Sequence, residues 1–397
     1  MDRPNIFKIY LIYFISMTLF CVLRILSAFN VTGSLHPDIA DIIYTVLIQV
    51  VLMFLLPLVL YTIFNRHNGG LKTTFKQMRF KSIGFKTVLI SIALGVIAFI
   101  INIAVSTVFS GIIGMFGYSQ PITGTNTNYS PLFPNWLSFL IEVISVALLP
   151  AICEEFLHRG ILLQGTYKIG VKKAIFISSI LFGLVHFNIN QFFYAFVLGL
   201  LMSLVAIVAR SIYPAIIIHF INNFISIYIS AAENYGWFGK NFYNGINGLL
   251  KNGNAFLTFI ICFVILISVV AILVWLVSKL YKISTLNKVK KVIDSVYTKE
   301  ERAITNSPIM LEKNRVTQNM QENQATLDIS FEEMKSPIDI VLPKQNNVFK
   351  PKYYDNLFLI GSLVLGSLVT IFTFVWGLLW LILLQLGKLK KIFMLKQ

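Results

Sequence analysis

Three polar clusters interrupt stretches of this sequence that are otherwise apolar enough to cross a membrane. They contain two carboxylates, a guanidinium, two imidazoles and an amide, from Glu154, Glu155, Arg159, His186, His219 and Asn223. Ionisable groups inside a bilayer are costly and are usually retained for function. This set of side chains is sufficient to bind a metal ion or to activate a water molecule, so the sequence indicates a reactive site within a membrane.

The spacing inside the clusters gives the two carboxylates different roles. Glu155 and Arg159 are four residues apart, so they can pair along one face of a helix. Glu154 points about 100° away around the same helix and stays available for chemistry. His219 and Asn223 are also four residues apart, and they present an imidazole and an amide from one helix face.

The composition is that of a polytopic membrane protein. Hydrophobic residues make up 56% of the chain and charged residues 13%, with a mean hydropathy of +0.76. The net charge of +16 does not indicate nucleic-acid binding, because the lysines and arginines flank apolar stretches. Cys21, Cys153 and Cys262 lie in apolar segments without the spacing of a disulfide framework or a cysteine zinc site.

Hydropathy predicts an all-α fold, a polytopic transmembrane bundle of about eight or nine helices. The apolar segments are 9–29, 39–64, 87–109, 136–164, 174–187, 191–209, 213–232, 256–280 and 357–386. We expect N-terminal membrane helices with a basic loop (1–135), helices that carry the polar clusters (136–232) and a further membrane helix (233–280). A polar, partly flexible insert (281–354) and a C-terminal membrane segment with a basic tail (355–397) follow.

Basic residues predict the orientation in the membrane. The loop 66–86 contains six lysines and arginines, whereas 119–135 contains none. The positive-inside rule therefore places that loop, the N-terminus and the insert in the cytoplasm. A ninth crossing would put the basic C-terminal tail outside, so either the last segment does not cross simply or one predicted span is wrong. The bias towards Ile, Asn, Lys and Phe is typical of a low-GC Gram-positive bacterium, and we expect a multi-pass protein of its cell membrane.

Helix geometry places the three clusters at compatible depths. At about 1.5 Å per residue, the nearest flanking cation is about 20 Å from Glu154, about 20 Å from His186 and about 14 Å from His219. A lone buried ion pair or a lone helical histidine is usually structural. Three polar clusters at the same depth in the bilayer, by contrast, favour one shared site. His158 has no partner at helical spacing, and we assign it a structural role.

The order Glu-Glu-x-x-x-Arg, Phe-x-x-x-His and His-x-x-x-Asn on successive predicted helices resembles the CAAX-protease and bacteriocin-processing family of intramembrane proteases. That family includes the eukaryotic type II CAAX prenyl endopeptidase, a glutamate-dependent membrane protease. The resemblance extends over 136–232. It implies that Glu154 is the general base that activates water, while His186, His219 and Asn223 hold that water or a metal ion and polarise the scissile carbonyl.

The resemblance also implies supporting residues and a cofactor. Glu155 and Arg159 would form a structural pair beside the site, and Phe182 would wall the pocket. One zinc ion is expected, with the four catalytic residues as its ligands, although an asparagine oxygen is an unusual zinc ligand. A metal-free site, in which Glu154 activates the water and the amide helps to bind the oxyanion, uses the same residues and stays open.

The function that the resemblance implies is an intramembrane endopeptidase that cleaves a membrane-associated peptide or protein. The alternative is a membrane scaffold, or a bacteriocin-immunity or regulatory protein, that uses the pocket for binding and cleaves nothing. The complete residue set favours the enzyme, because a binder does not need a base, ligands and an amide together. A transporter is disfavoured, since the sequence contains no inverted repeat. The bilayer and a membrane-bound peptide, such as a leader or signalling peptide, are the expected partners.

Overall fold

The computed structural model describes residues 5–28, 35–66, 71–115, 133–241, 255–296, 351–373 and 375. Within these residues the chain forms helices and contains no strand. Eight of the helices are long and apolar enough to cross a membrane. The predicted all-α polytopic bundle is therefore confirmed. Most of the polar insert and of the basic C-terminal tail lies outside the described residues, as do the predictions made for them.

The helices begin and end at residues that interrupt long apolar stretches. In chain order they are α1 (Ile6–Ala28), α2 (Asp38–Phe64), α3 (Leu71–Gln77), α4 (Phe85–Met115), α5 (Asn135–Ile169), α6 (Val171–Leu184), α7 (Ile189–Ala209), α8 (Tyr213–Tyr235), α9 (Ala255–Val296) and α10 (Tyr354–Thr373). Gly170 separates α5 from α6 with a φ of 111°, a conformation that favours glycine. The side chain of Asn188 caps the start of α7 by accepting the backbone N–H of Asn190.

Helix α6 is shorter than a membrane span. Its 14 residues extend over about 21 Å, less than the hydrocarbon thickness of about 30 Å. A four-residue turn returns the chain into α7, which packs closely on α6 because Gly199 lacks a side chain. A Cβ atom at Gly199 would lie 3.0 Å from the Cα of Ser179. The predicted span 174–187 is thus one arm of a hairpin, and α6 is too short to cross a membrane on its own.

The loops and helix ends that carry basic residues lie together at one end of the bundle. The Ile212 N–H donates to the carbonyl of Arg79 at 3.2 Å, and the Arg79 guanidinium lies 5.4 Å from the ring of Tyr167. The Lys8 ammonium lies 5.5 Å from the ring of Phe64. These contacts join the starts of α1, α4 and α8 to the ends of α2, α5 and α7. We call this the basic end, and the opposite end the far end.

Helices α2 and α5 contain π-helical stretches. Val46–Leu55 is π-helical in α2, and Val143–Leu148 and Phe156–Leu163 are π-helical in α5. Between the last two, Leu149–Glu155 is α-helical and carries both glutamates of the first polar cluster. Pro150 lacks an N–H and so cannot complete a regular hydrogen-bond ladder at this point. Wide turns of this kind are frequent at functional sites.

The buried apolar residues form two clusters that meet at α5 and α6. One cluster joins α4, α6, α7 and α9, and Leu94, Met202 and Phe182 belong to it. The other joins α1, α2, α5 and α6, with Tyr13 and Phe156 among its members. The first two polar clusters therefore lie on α5 and at the end of α6, which contribute to both halves of the core, and the third lies on α8, which packs into the first half through Ala215 and Ile218.

Candidate active site

A cavity of about 290 Å³ lies between α4, α5, α7 and α8. Its lining includes all four residues to which the sequence assigns catalytic roles, Glu154, His186, His219 and Asn223. They come from α5, from the turn after α6 and from α8. Helix packing thus brings the three polar clusters to one place, and the chemical roles of the four residues stay predictions.

Glu155 accepts hydrogen bonds from two side chains behind the cavity. Its Oε1 accepts hydrogen bonds from Arg159 Nη1 at 2.8 Å and from His219 Nδ1 at 3.0 Å, and both Glu155 and Arg159 are fully buried. The pairing with Arg159 agrees with the four-residue spacing. The contact with His219 was not foreseen from the sequence. It places the hydrogen of that imidazole on Nδ1 and leaves the Nε2 lone pair available.

Phe182 separates the buried guanidinium from the cavity and packs against both imidazoles. The Arg159 Cζ lies 4.4 Å from the Phe182 ring centroid, and Arg159 Nη2 donates to the carbonyl of Gly199 at 3.1 Å. The ring centroid of Phe182 is 5.2 Å from that of His186 and 5.6 Å from that of His219, both edge-to-face. Phe182 lines the cavity, in agreement with its expected place as a wall.

His186 is held by the turn that ends α6. Its Nδ1 donates to the carbonyl of Phe182 at 2.8 Å, so its Nε2 also keeps a free lone pair. The next residue, Phe187, has a φ of 50°, which non-glycine residues rarely adopt. Its carbonyl accepts the hydroxyl of Thr373 at 2.9 Å. Helix α10 therefore supports the turn that presents this imidazole.

Glu154 has a partner far away in the sequence. Gln49 Nε2, in the π-helical stretch of α2, donates to Glu154 Oε1 at 2.9 Å. The other side-chain atom of Gln49, Oε1, is buried and has no hydrogen-bond partner. Sequence analysis missed this residue. The sequence did contain a signal for this residue, because Gln49 is a single amide within an otherwise apolar span. Polar residues in such spans are costly and are usually retained for function.

A chain of amides crosses the cavity from α4 to α5. Asn102 Nδ2 lies 3.4 Å from Asn222 Oδ1, Asn222 Nδ2 donates to Asn223 Oδ1 at 2.9 Å, and Asn223 Nδ2 donates to the Val146 carbonyl at 3.0 Å. That carbonyl precedes Pro150 by four residues, so it lacks the backbone donor of an α-helix. Asn223 therefore supplies a hydrogen-bond donor to this carbonyl of α5 in addition to lining the cavity. Asn222 is a second residue that the sequence analysis did not identify.

His158 lies outside the cavity lining and is fully buried. Its Nδ1 donates to the backbone carbonyl of Glu154 at 2.9 Å, and its Nε2 lies 3.1 Å from the Tyr13 hydroxyl. The same hydroxyl donates to the Leu181 carbonyl at 3.0 Å. His158 thus ties α5 to α1 and α6, which agrees with the structural role that we assigned to it.

The donor set is only partly suited to a metal ion. Both cavity imidazoles donate Nδ1–H and keep Nε2 as a possible ligand atom, which is the arrangement of metal-binding histidines. In the part of the chain that the structure describes, however, no three histidine, cysteine, aspartate or glutamate side chains are grouped so that they could hold a metal ion. The described residues therefore do not form a group of three such ligands, and the zinc site expected from the sequence stays a prediction.

Comparison with known families supports the resemblance noted in the sequence. Residues 136–225 match the family model of the type II CAAX prenyl endopeptidase Rce1-like proteins. The match covers less than half of the chain, includes all four cavity residues discussed above and leaves out α1 to α4, α9 and α10. No curated protein and no solved structure matched the chain. At the level of the family, the matched segment is similar to a membrane protease.

Proposed function

We propose that the protein is an intramembrane endopeptidase that hydrolyses a membrane-associated peptide or protein, with Glu154 as its general base. One observation carries this proposal. A single cavity within the bundle contains a carboxylate, two imidazoles with available Nε2 atoms and an amide. The segment that supplies them is similar to a protease family.

The reaction would use these groups in order. Glu154 takes one proton from a water molecule, the Nε2 atom of His186 or His219 accepts the other hydrogen of that water, and the water oxygen attacks the scissile carbonyl. Asn223 has one amide hydrogen beyond the one donated to Val146, and it stabilises the developing oxyanion. The carbon–nitrogen bond then breaks as Glu154 returns the proton to the amine that leaves.

Two residues that do not react themselves would position Glu154 and His219. Gln49 fixes one oxygen of Glu154, and Glu155 fixes the His219 ring. The mechanism contains no metal step, because the described ligand-type side chains do not form a group of three. Zinc binding, which was expected from the sequence, is the alternative to this mechanism, and the Discussion gives the experiment that decides between them.

A comparison of membrane peptides in cells with the wild-type and variant proteins tests the proposal. Glu154→Gln, which removes the base, should lower the amount of cleaved peptide by at least about 10²-fold, and so should His186→Ala and His219→Ala. Glu142→Gln is the matched control, because it makes the same change on the same helix away from the cavity lining. Normal cleavage by the folded Glu154→Gln protein would refute the proposal and support the binding alternative.

A further inference from the structure

The cavity extends along the bundle from the buried polar groups towards the end opposite the basic end. Along α8, which begins at the basic end, His219 is about 9 Å and Ser226 about 20 Å from the first residue of the helix. Along α7, which ends there, Leu198 is about 17 Å and Gln191 about 27 Å from the last residue. In a hydrocarbon core of about 30 Å, the cavity thus begins about 9 Å from the basic end and extends towards the far end.

The exposed fraction of the residues that line the cavity is lowest near the basic end. The residues nearest the basic end are closed off, since His219 is 3% exposed, Leu198 6% and Phe182 1%. Two lining residues farther along are exposed, Val146 at 50% and Ser226. The cavity therefore has a closed floor towards the basic end and a rim in the far half of the bundle.

An aromatic cluster marks the level of the rim. Ser226 lies on α8 between Phe224 and Tyr228. The Phe139 ring on α5 contacts both of these rings, at 6.3 Å and 6.4 Å, and that of Trp237 at 5.1 Å. Tryptophan and tyrosine are enriched where membrane helices meet the headgroup region. The rim is therefore close to the interface between the membrane and water at the far end.

We infer that the substrate enters from the far end, and that the bond to be cleaved lies at the outer face of the membrane. The basic loops gather at the opposite end, which the positive-inside rule assigns to the cytoplasm. The substrate class is then a membrane-anchored peptide or protein that is cut in its extracytoplasmic segment, next to its anchor. The inference rests on the proposed function for the reaction, and on the geometry of the cavity for the side.

This assignment separates two classes of substrate. The cytoplasmic tail of a membrane protein would approach the basic end, where the buried Glu155, Arg159 and Phe182 close the floor of the cavity. An exported peptide that is still attached to the membrane would meet the open rim at Val146 and Ser226. Only the second can bring a peptide bond to Glu154 without displacing the buried charge group.

Labelling of single cysteines in intact cells tests the inference. Cys21, Cys153 and Cys262 are replaced by alanine in the full-length protein, and one cysteine is introduced by Ser226→Cys at the rim or by Lys86→Cys at the basic end. We expect a membrane-impermeant maleimide to label the rim variant in intact cells, and the Lys86 variant only after permeabilisation. A charged thiol reagent added outside should abolish cleavage in the rim variant alone.

The outcomes distinguish this inference from the proposed function. Labelling of the rim variant only after permeabilisation, or not at all, overturns the inference even if cleavage is normal. Labelling from outside supports the position of the rim independently of activity. If the rim is labelled but outside modification leaves cleavage intact, substrate does not pass the rim and the inference is also wrong. If cleavage is unaffected by Glu154→Gln, it is the proposed function that fails.

Discussion

Replacement of Arg159 by alanine tests the buried charge group beneath the cavity. The guanidinium is fully buried, 2.8 Å from Glu155 Oε1, 3.1 Å from the Gly199 carbonyl and 4.4 Å from the centre of the Phe182 ring. Its removal would leave the Glu155 carboxylate in a low-dielectric interior with His219 as its remaining partner. Loss of one member of a buried ion pair costs about 3–5 kcal/mol, and we expect Arg159→Ala to be destabilised by this amount.

The double change Glu155→Gln with Arg159→Gln separates stability from activity. Because it removes both charges together, no uncompensated charge is buried, and part of the lost stability should return. The His219 ring would nevertheless lose the carboxylate that accepts its Nδ1 hydrogen. Cleavage by the double variant should therefore stay about 10- to 100-fold below that of the wild type, which is the usual effect of removing a group that orients a functional imidazole.

Thermal unfolding in detergent, combined with a cleavage assay, measures both effects. The wild type, Arg159→Ala and the double variant are compared with Lys86→Ala, an exposed change that should alter stability by less than about 0.5 kcal/mol. If Arg159→Ala is as stable as the wild type but inactive, Arg159 acts on the substrate and the supporting role is wrong. Full activity of the double variant would show that Glu155 is not needed to hold His219.

Two further predictions concern the base and the metal. Gln49→Leu removes a hydrogen bond to the Glu154 carboxylate, which is worth about 1.5–3 kcal/mol, and should lower kcat by at least about tenfold while KM is unchanged. Steady-state kinetics check this, and an unaltered kcat would contradict it. Among the described residues, no three histidine, cysteine, aspartate or glutamate side chains form a metal-binding group. We therefore expect cleavage to persist after a chelator has removed divalent metal ions. Elemental analysis that finds one zinc per chain, lost together with activity, would contradict the metal-free mechanism.

Much of the fold and part of the site could be predicted because they depend on local properties. Membrane helices follow from the length and hydropathy of single segments, so the all-α bundle was evident from the sequence. The pairing of Glu155 with Arg159 follows from helical spacing and is present at 2.8 Å. The high cost of polar groups in a membrane singled out Glu154, His186 and His219, which do line one cavity.

The contacts that assign a role to each side chain could not be predicted in this way. Gln49 is 105 residues from Glu154, and Glu155 is 64 residues from His219. Spacing within one helix carries no information about which faces of two distant helices meet. The predicted segment 174–187 also ends three residues after α6, because hydropathy continues into the turn at His186, and α6 is too short to count as a membrane span.

The sequence by itself thus determined that the chain forms membrane helices and which polar residues they carry into the bilayer. Both properties depend on the transfer of individual segments and side chains from water. The tertiary structure alone decided that Glu155 accepts a hydrogen bond from His219, that Asn223 donates to the Val146 carbonyl four residues before Pro150, and that the polar residues of three segments line one cavity. These features depend on the order and packing of the helices, because each of them joins groups that only the bundle brings together.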